Sequence, residues 1–218
     1  MRRTLVTGLL PLVVVLASSG VVACQSTPAA TPTASRSVVY SQDFSQGPGT
    51  FEVFDFDTVA AEHRDGAFRL VFTEAGSITT APAGQNLGDV SVEVDATETG
   101  PTAARRYGLF CRLPEEGIYY EFSIDSTGQV GTRVAAHLTQ SGQPLVMAPN
   151  AAVRTGLGVV NHLRADCVGP TFTFWVNDTI VGSFADTTTA TGDVGLFASS
   201  ASDERTEVSF DNFVVYQP

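Results

Sequence analysis

The chain has 218 residues, 43% of them hydrophobic and 16% charged, and a formal charge of −11. That length supplies one domain with a large core. A balance this acidic excludes nucleic acid as a partner held by bulk electrostatics, and excludes adhesion to an anionic membrane by charge alone.

The N-terminus opens with a short basic head, Arg2 and Arg3. An apolar run follows within residues 5–22, broken by Pro11, Ser18, Ser19 and Gly20. Those breaks make a poor membrane-spanning helix, and the pattern reads as a secretory signal over residues 1–23. The stretch Val21-Val22-Ala23-Cys24 resembles the lipobox of bacterial lipoproteins. The resemblance implies that Cys24 becomes the first residue of the mature chain and carries lipid, palmitate included. The protein would then sit on the outer face of the cytoplasmic membrane. Cleavage there removes Arg2 and Arg3 and no acid, taking the charge from −11 to −13. Residues 24–36, Cys24 and a Pro-, Thr-, Ala- and Ser-rich run ending in Arg36, bury too little to fold. They form a tether with a reach of roughly 40 Å.

The folded part is expected over residues 37–218. Helical periodicity is absent, and period-two alternation recurs. Val90, Val92, Val94 and Ala96 alternate with Ser91, Glu93, Asp95 and Thr97. Ile118, Tyr120, Phe122 and Ile124 alternate with Tyr119, Glu121, Ser123 and Asp125, and Phe172, Phe174 and Val176 recur at the same period. Turn signals separate the runs at Arg64-Asp-Gly66, Ser126-Thr-Gly128, Ser141-Gly142 and Val176-Asn-Asp-Thr179. About a dozen short strands at this spacing predict an all-β, two-sheet antiparallel sandwich.

Of the three cysteines, Cys111 and Cys167 remain after lipidation. In an exported chain a disulfide is the default, and two Cys without neighbours at ligand spacing make no zinc site. Cys111 shares parity with Leu109, and Cys167 with Leu163 and Ala165, so both are expected to point inward. His63, His137 and His162 lie in separate strands or turns, with no Ser-His-Asp arrangement and no His cluster for a metal.

Five pieces in order carry a resemblance: Asp43-Phe-Ser-Gln-Gly47; Asp65-Gly-Ala-Phe-Arg-Leu70; Tyr107-Gly-Leu-Phe-Cys-Arg112 with Gly117-Ile-Tyr-Tyr-Glu-Phe122; Thr173-Phe-Trp-Val-Asn177 with Ile180-Val-Gly182; and Gly192-Asp-Val-Gly-Leu-Phe197 with Ser209-Phe-Asp-Asn-Phe-Val-Val-Tyr216. They resemble the concanavalin A-like jelly-roll superfamily. Its members include laminarin-type glycoside hydrolases, 3-keto-disaccharide hydrolase domains and non-catalytic surface modules. The fold hosts many activities, so function has to be argued from the site.

The stretch Ser91–Glu98 matches the E-x-D-x-x-E spacing of the laminarin-type catalytic strand. In those enzymes, however, the motif follows the strand that corresponds here to residues 107–113, where this chain has Glu121 and Asp125 instead. Glu93, Asp95 and Glu98 are therefore read as solvated positions on a half-buried strand. The resemblance places residues 107–113, 118–125 and 128–137 in a concave groove. Arg112, Tyr119, Glu121 and Arg133 are its candidate ligand-binding residues, with an Arg112–Glu121–Arg133 charge pairing as the plainer reading. The implied function is a lipid-anchored, non-catalytic module for carbohydrate. A glycoside or keto-sugar hydrolase and a protein-binding surface ectodomain are the alternatives. Glycan or a cell-surface protein would be the partner, with the membrane reached only through the lipid. The resemblance also implies a structural calcium ion joining first and last strands, held by Asp43, the Gly66 carbonyl and Asp211.

Overall fold

The computed structural model describes residues 36–136 and 146–218. Cys24, His137 and the Ser141-Gly142 turn lie outside the described residues. Among the described residues there are strands and no helix. The first strands are β1 (Ser37–Gln42), β2 (Phe54–Asp55), β3 (Val59–Arg64), β4 (Ala67–Phe72) and β5 (Ile78–Pro82). Next come β6 (Val90–Glu98), β7 (Ala104–Leu113), β8 (Ile118–Ile124), β9 (Gln129–Ala136) and β10 (Ala148–Pro149). The chain closes with β11 (Val160–Val168), β12 (Thr171–Val176), β13 (Thr179–Ala185), β14 (Asp193–Ser200) and β15 (Thr206–Gln217).

They form two antiparallel sheets. One has nine strands in the order β13-β12-β11-β6-β15-β4-β3-β2, with β1 also on β15; the other runs β10-β9-β8-β7-β14-β5. Alternation in sequence becomes alternation in space because successive strand residues face opposite sides. On β6 the even positions Val90, Val92, Val94 and Ala96 are buried in the core, as are Tyr120, Phe122 and Ile124 on β8. Phe172 and Phe174 meet Tyr120 and Phe122 across the sandwich, with centroids 3.9 and 5.8 Å apart. The cysteines face inward and are bonded, joining β7 to β11 between the sheets with Cα atoms 6.8 Å apart.

Two expected turns form as the chemistry demands. Asp65 and Gly66 (φ 55° and 74°) connect β3 to β4, and Asn177 and Asp178 (φ 48° and 65°) connect β12 to β13. Two left-handed residues in succession suit the twist of a tight hairpin. Arg36 donates to Ser91 and Glu93 at 3.0 and 2.7 Å, and its guanidinium lies 4.5 Å over the Tyr216 ring.

Candidate functional site

The three strands expected to share a groove, β7, β8 and β9, are neighbours in the six-stranded sheet. On its outward face Glu121 stands directly opposite Arg133, which donates two hydrogen bonds to it at 2.6 and 3.0 Å. Tyr119 donates its hydroxyl to the same carboxylate at 2.7 Å, and Arg106 approaches at 3.5 Å. Tyr119, Glu121 and Arg133 thus come together as expected. Arg112 does not join them. It sits at a bulge, where three steps of β7, Phe110 to Leu113, match two steps of β14. Its backbone is left-handed (φ 55°), which turns the side chain away from the outward face. The guanidinium lies 5.0 Å over Phe172 and donates to Asp89, the Thr189 carbonyl and the Cys167 carbonyl. Arg106, which strict parity from Phe110 points to, takes its place beside Glu121.

Most of these groups are buried. Glu121 is fully buried, and Phe110, Leu113, Tyr119, Ala135 and Phe197 form a second buried apolar cluster around it. Burial together with the Glu121 carboxylate pushes the Tyr119 phenol well above its ordinary range, so it stays a neutral donor. Asp125, at the end of the same run, accepts from Thr127 and Gln129 and caps the β8–β9 turn.

The E-x-D-x-x-E stretch lies on β6, in the other sheet, so it cannot serve that face. Glu93 and Asp95 point outward as expected. Glu98 does not: it shares parity with Val94 and Ala96, and only 1% of it is exposed. Its carboxylate accepts from the Ala104 backbone amide, and burial pushes its pKa up.

Around Glu93 the nine-stranded sheet assembles groups from distant parts of the chain. Glu93 pairs across with Arg164, and Arg164 with Trp175. The Arg164 guanidinium lies 4.9 Å from the indole centroid, and the indole Nε1–H donates to Asp166 at 3.1 Å. His162 donates from Nδ1 to Asp95 at 2.8 Å, while its Nε2 is 3.7 Å from Glu93. Glu93 and Asp95 together push the imidazole pKa up to about 9, so the ring is charged at neutral pH. His162 and then Arg36 hold the Glu93 carboxyl below its ordinary range. These groups line a pocket of about 190 Å³ bounded by Arg36, Glu93, His162, Arg164, Trp175 and Asp178. Alternation on β11 already put His162, Arg164 and Asp166 on one face. Their meeting with Glu93 and Trp175 needed the long-range pairing of β6, β11 and β12.

The three pieces expected to hold calcium are brought to one stretch of β15. Gln42, the last residue of β1, pairs with Phe213, and Phe68, next to the Gly66 turn, pairs with Phe210. Asp211 lies between, at the start of a bulge with Asn212 left-handed (φ 53°). Asp43 lines a notch there with Asn212. Ser45 donates to Asp43 from its backbone amide and its hydroxyl, which holds the carboxyl below its usual range and ionised. No group of three or more His, Cys, Asp or Glu suited to a metal forms among the described residues. Asp211 and the Gly66 carbonyl do not line that notch.

No protein-family model matches the chain, and no curated protein matches it. Solved structures do. The carbohydrate-binding module CBM66 from Bacillus subtilis superposes with a TM-score of 0.55 at 16% identity, covering 68% of this chain and 86% of that one. A laminarinase from Flavobacterium sp. UMI-01 gives 0.55 at 12% identity, covering 83% and 100%. A protein of unknown function with a galectin-like fold from Bacillus subtilis gives 0.60 at 9% identity, covering 84% and 98%.

The fold is the concanavalin A-like jelly roll.

Sequence identities this low speak for the fold alone. Within this jelly roll the structure offers two contrasting surfaces. The six-stranded sheet carries a buried, internally paired charge network. The nine-stranded sheet carries an open pocket with an aromatic wall.

Proposed function

We propose that this protein is a lipid-anchored, extracytoplasmic module that binds glycan without cleaving it. One observation carries the non-catalytic part: the Glu121 carboxylate is buried and engaged by Arg133, Tyr119 and Arg106. A retaining glycosidase needs two carboxylates about 5 Å apart, with oxygens free for the sugar. Asp125, two residues beyond Ser123 on the same strand face, spends its oxygens on a turn. The glycan part is supported by structural likeness to a carbohydrate-binding module and a laminarinase, and by a solvent-facing pocket with indole and convergent polar groups.

A glycan array and a hydrolysis screen on the soluble domain test this together. Binding without turnover is the expected result. Release of reducing sugar, abolished by Glu121→Gln, would establish the hydrolase instead. Silence in both would favour a protein partner.

The anchor is proposed on Cys24, where the Val21-Val22-Ala23-Cys24 stretch ends the signal. Two acyl chains hold stably where one is marginal. Cys24→Ser is expected to release the protein to the medium or leave the precursor unprocessed. Normal processing with unchanged membrane retention would overturn the anchor. A calcium ion on Asp43, Asp211 and the Gly66 carbonyl would join β1, the β3–β4 turn and β15, adding stability to the folded state alone.

A further inference from the structure

We infer that the pocket beside Trp175, on the outward face of the nine-stranded sheet, binds a single neutral sugar unit that packs against the indole and bridges Glu93 and His162 through a hydroxyl. The inference rests on the glycan-binding reading above and assigns it a place and a ligand class.

The wall is built before any ligand arrives. Arg164 covers the indole from one side, the Nε1–H is tied to Asp166, and Asp166 is itself held by two 2.7 Å bonds from Arg164 and a 2.6 Å bond from Ser91. An indole fixed in this way presents apolar area with little ordering cost on binding. The floor offers a matched donor and acceptor. His162 Nε2 and the Glu93 carboxylate are 3.7 Å apart, too far for a good direct hydrogen bond. A hydroxyl beside the pair, within reach of both, would accept from the imidazolium and donate to the carboxylate, both charge-assisted. At the rim stands Asp178, exposed in the β12–β13 turn, with no hydrogen bond or ion pair among the described residues. It is available to a second hydroxyl.

Size and charge narrow the ligand. A volume of about 190 Å³ falls below the roughly 300–1,000 Å³ of sites for drug-sized molecules. One sugar ring fits that scale better than a chain segment. The three cations Arg36, Arg164 and His162 meet four carboxylates, Glu93 and Asp178 in the pocket and Asp95 and Asp166 paired to its cations, so the balance leans slightly negative. A phosphate or uronate would meet this balance inside a chain of charge −11 and gain nothing from it, whereas a neutral polyol uses donors and acceptors alike.

Trp175 is the only tryptophan, so its emission reports on this pocket and nowhere else. The soluble domain is titrated with oligosaccharides of laminarin, mixed-linkage glucan and xylan, with polygalacturonate as acidic control. Binding is read by calorimetry and by tryptophan emission. The expected result is saturable binding of a neutral sugar with a matching emission change. Affinity should fall at least tenfold in Trp175→Ala and several-fold in Asp178→Asn, an exposed change that spares the fold. Calorimetric binding without an emission change, and undiminished in both variants, would overturn this location and leave the glycan-binding reading standing. Preference for polygalacturonate would overturn the ligand class. No calorimetric binding of any glycan would overturn both.

Discussion

Glu121 and Arg133 stand opposite each other on β8 and β9 and share two short hydrogen bonds, 2.6 and 3.0 Å, with the carboxylate fully buried. Their value lies in what removal would leave behind. Arg133→Ala strands a buried carboxylate with Arg106 as its remaining cation at 3.5 Å. Breaking such a pair from one side costs about 3–5 kcal/mol. Chemical denaturation should show that loss for Arg133→Ala, and a smaller one for Arg133→Lys, which keeps the charge but not the fork. Equal stability of wild type and Arg133→Ala would mean that the pair is idle.

His162 makes stability depend on pH in a defined direction. Its folded pKa of about 9 lies above the ordinary value of 6.5. The folded state therefore binds the proton more tightly than the unfolded state. Its contribution is fully present below about pH 6.5 and is lost as pH rises through 9. The thermal midpoint should decline over that window, and the decline should be shallower in His162→Gln. A parallel decline in both proteins would remove His162 as the cause.

The Cys111–Cys167 bond closes a loop with a sequence separation of 56 residues. In the chain-entropy account a loop of this length is worth about 4 kcal/mol. The double variant Cys111→Ala/Cys167→Ala should lose stability of that order in urea, and unreduced peptide mapping should recover the two cysteines as one linked pair.

Calcium, if it joins β1 to β15 through Asp43 and Asp211, binds the folded state alone. Added calcium should raise the thermal midpoint and a chelator should lower it. In Asp211→Ala the midpoint should fall and stop responding to either. Identical melts under all conditions would take the ion out of the account.

Much of the architecture was legible because period-two alternation is a local property. The runs on β6, β8 and β12 each declare an inward face, and two turns declare left-handed pairs at Asp65-Gly66 and Asn177-Asp178. The same parity argument turned Cys111 and Cys167 inward, where they are bonded. Tyr119, Glu121 and Arg133 came together because neighbouring strands in sequence are neighbours in the sheet.

Parity fails wherever one extra residue enters a strand, and no local pattern announces that. The bulge at Arg112 turns its side chain toward Phe172 and leaves Arg106 beside Glu121. Glu98 is the opposite case: its even parity matched Val94 and Ala96, yet its charge suggested solvent, and burial at the strand end won. The pocket at Trp175 was beyond local reach altogether. Glu93 and Trp175 are separated by most of the middle of the chain, and only the pairing of β6 with β11 and β11 with β12 puts them on one surface. Side-chain alternation is set residue by residue along a strand. Which strands lie side by side is set by long-range hydrogen bonding and core packing, which exist only once the two sheets have closed on each other.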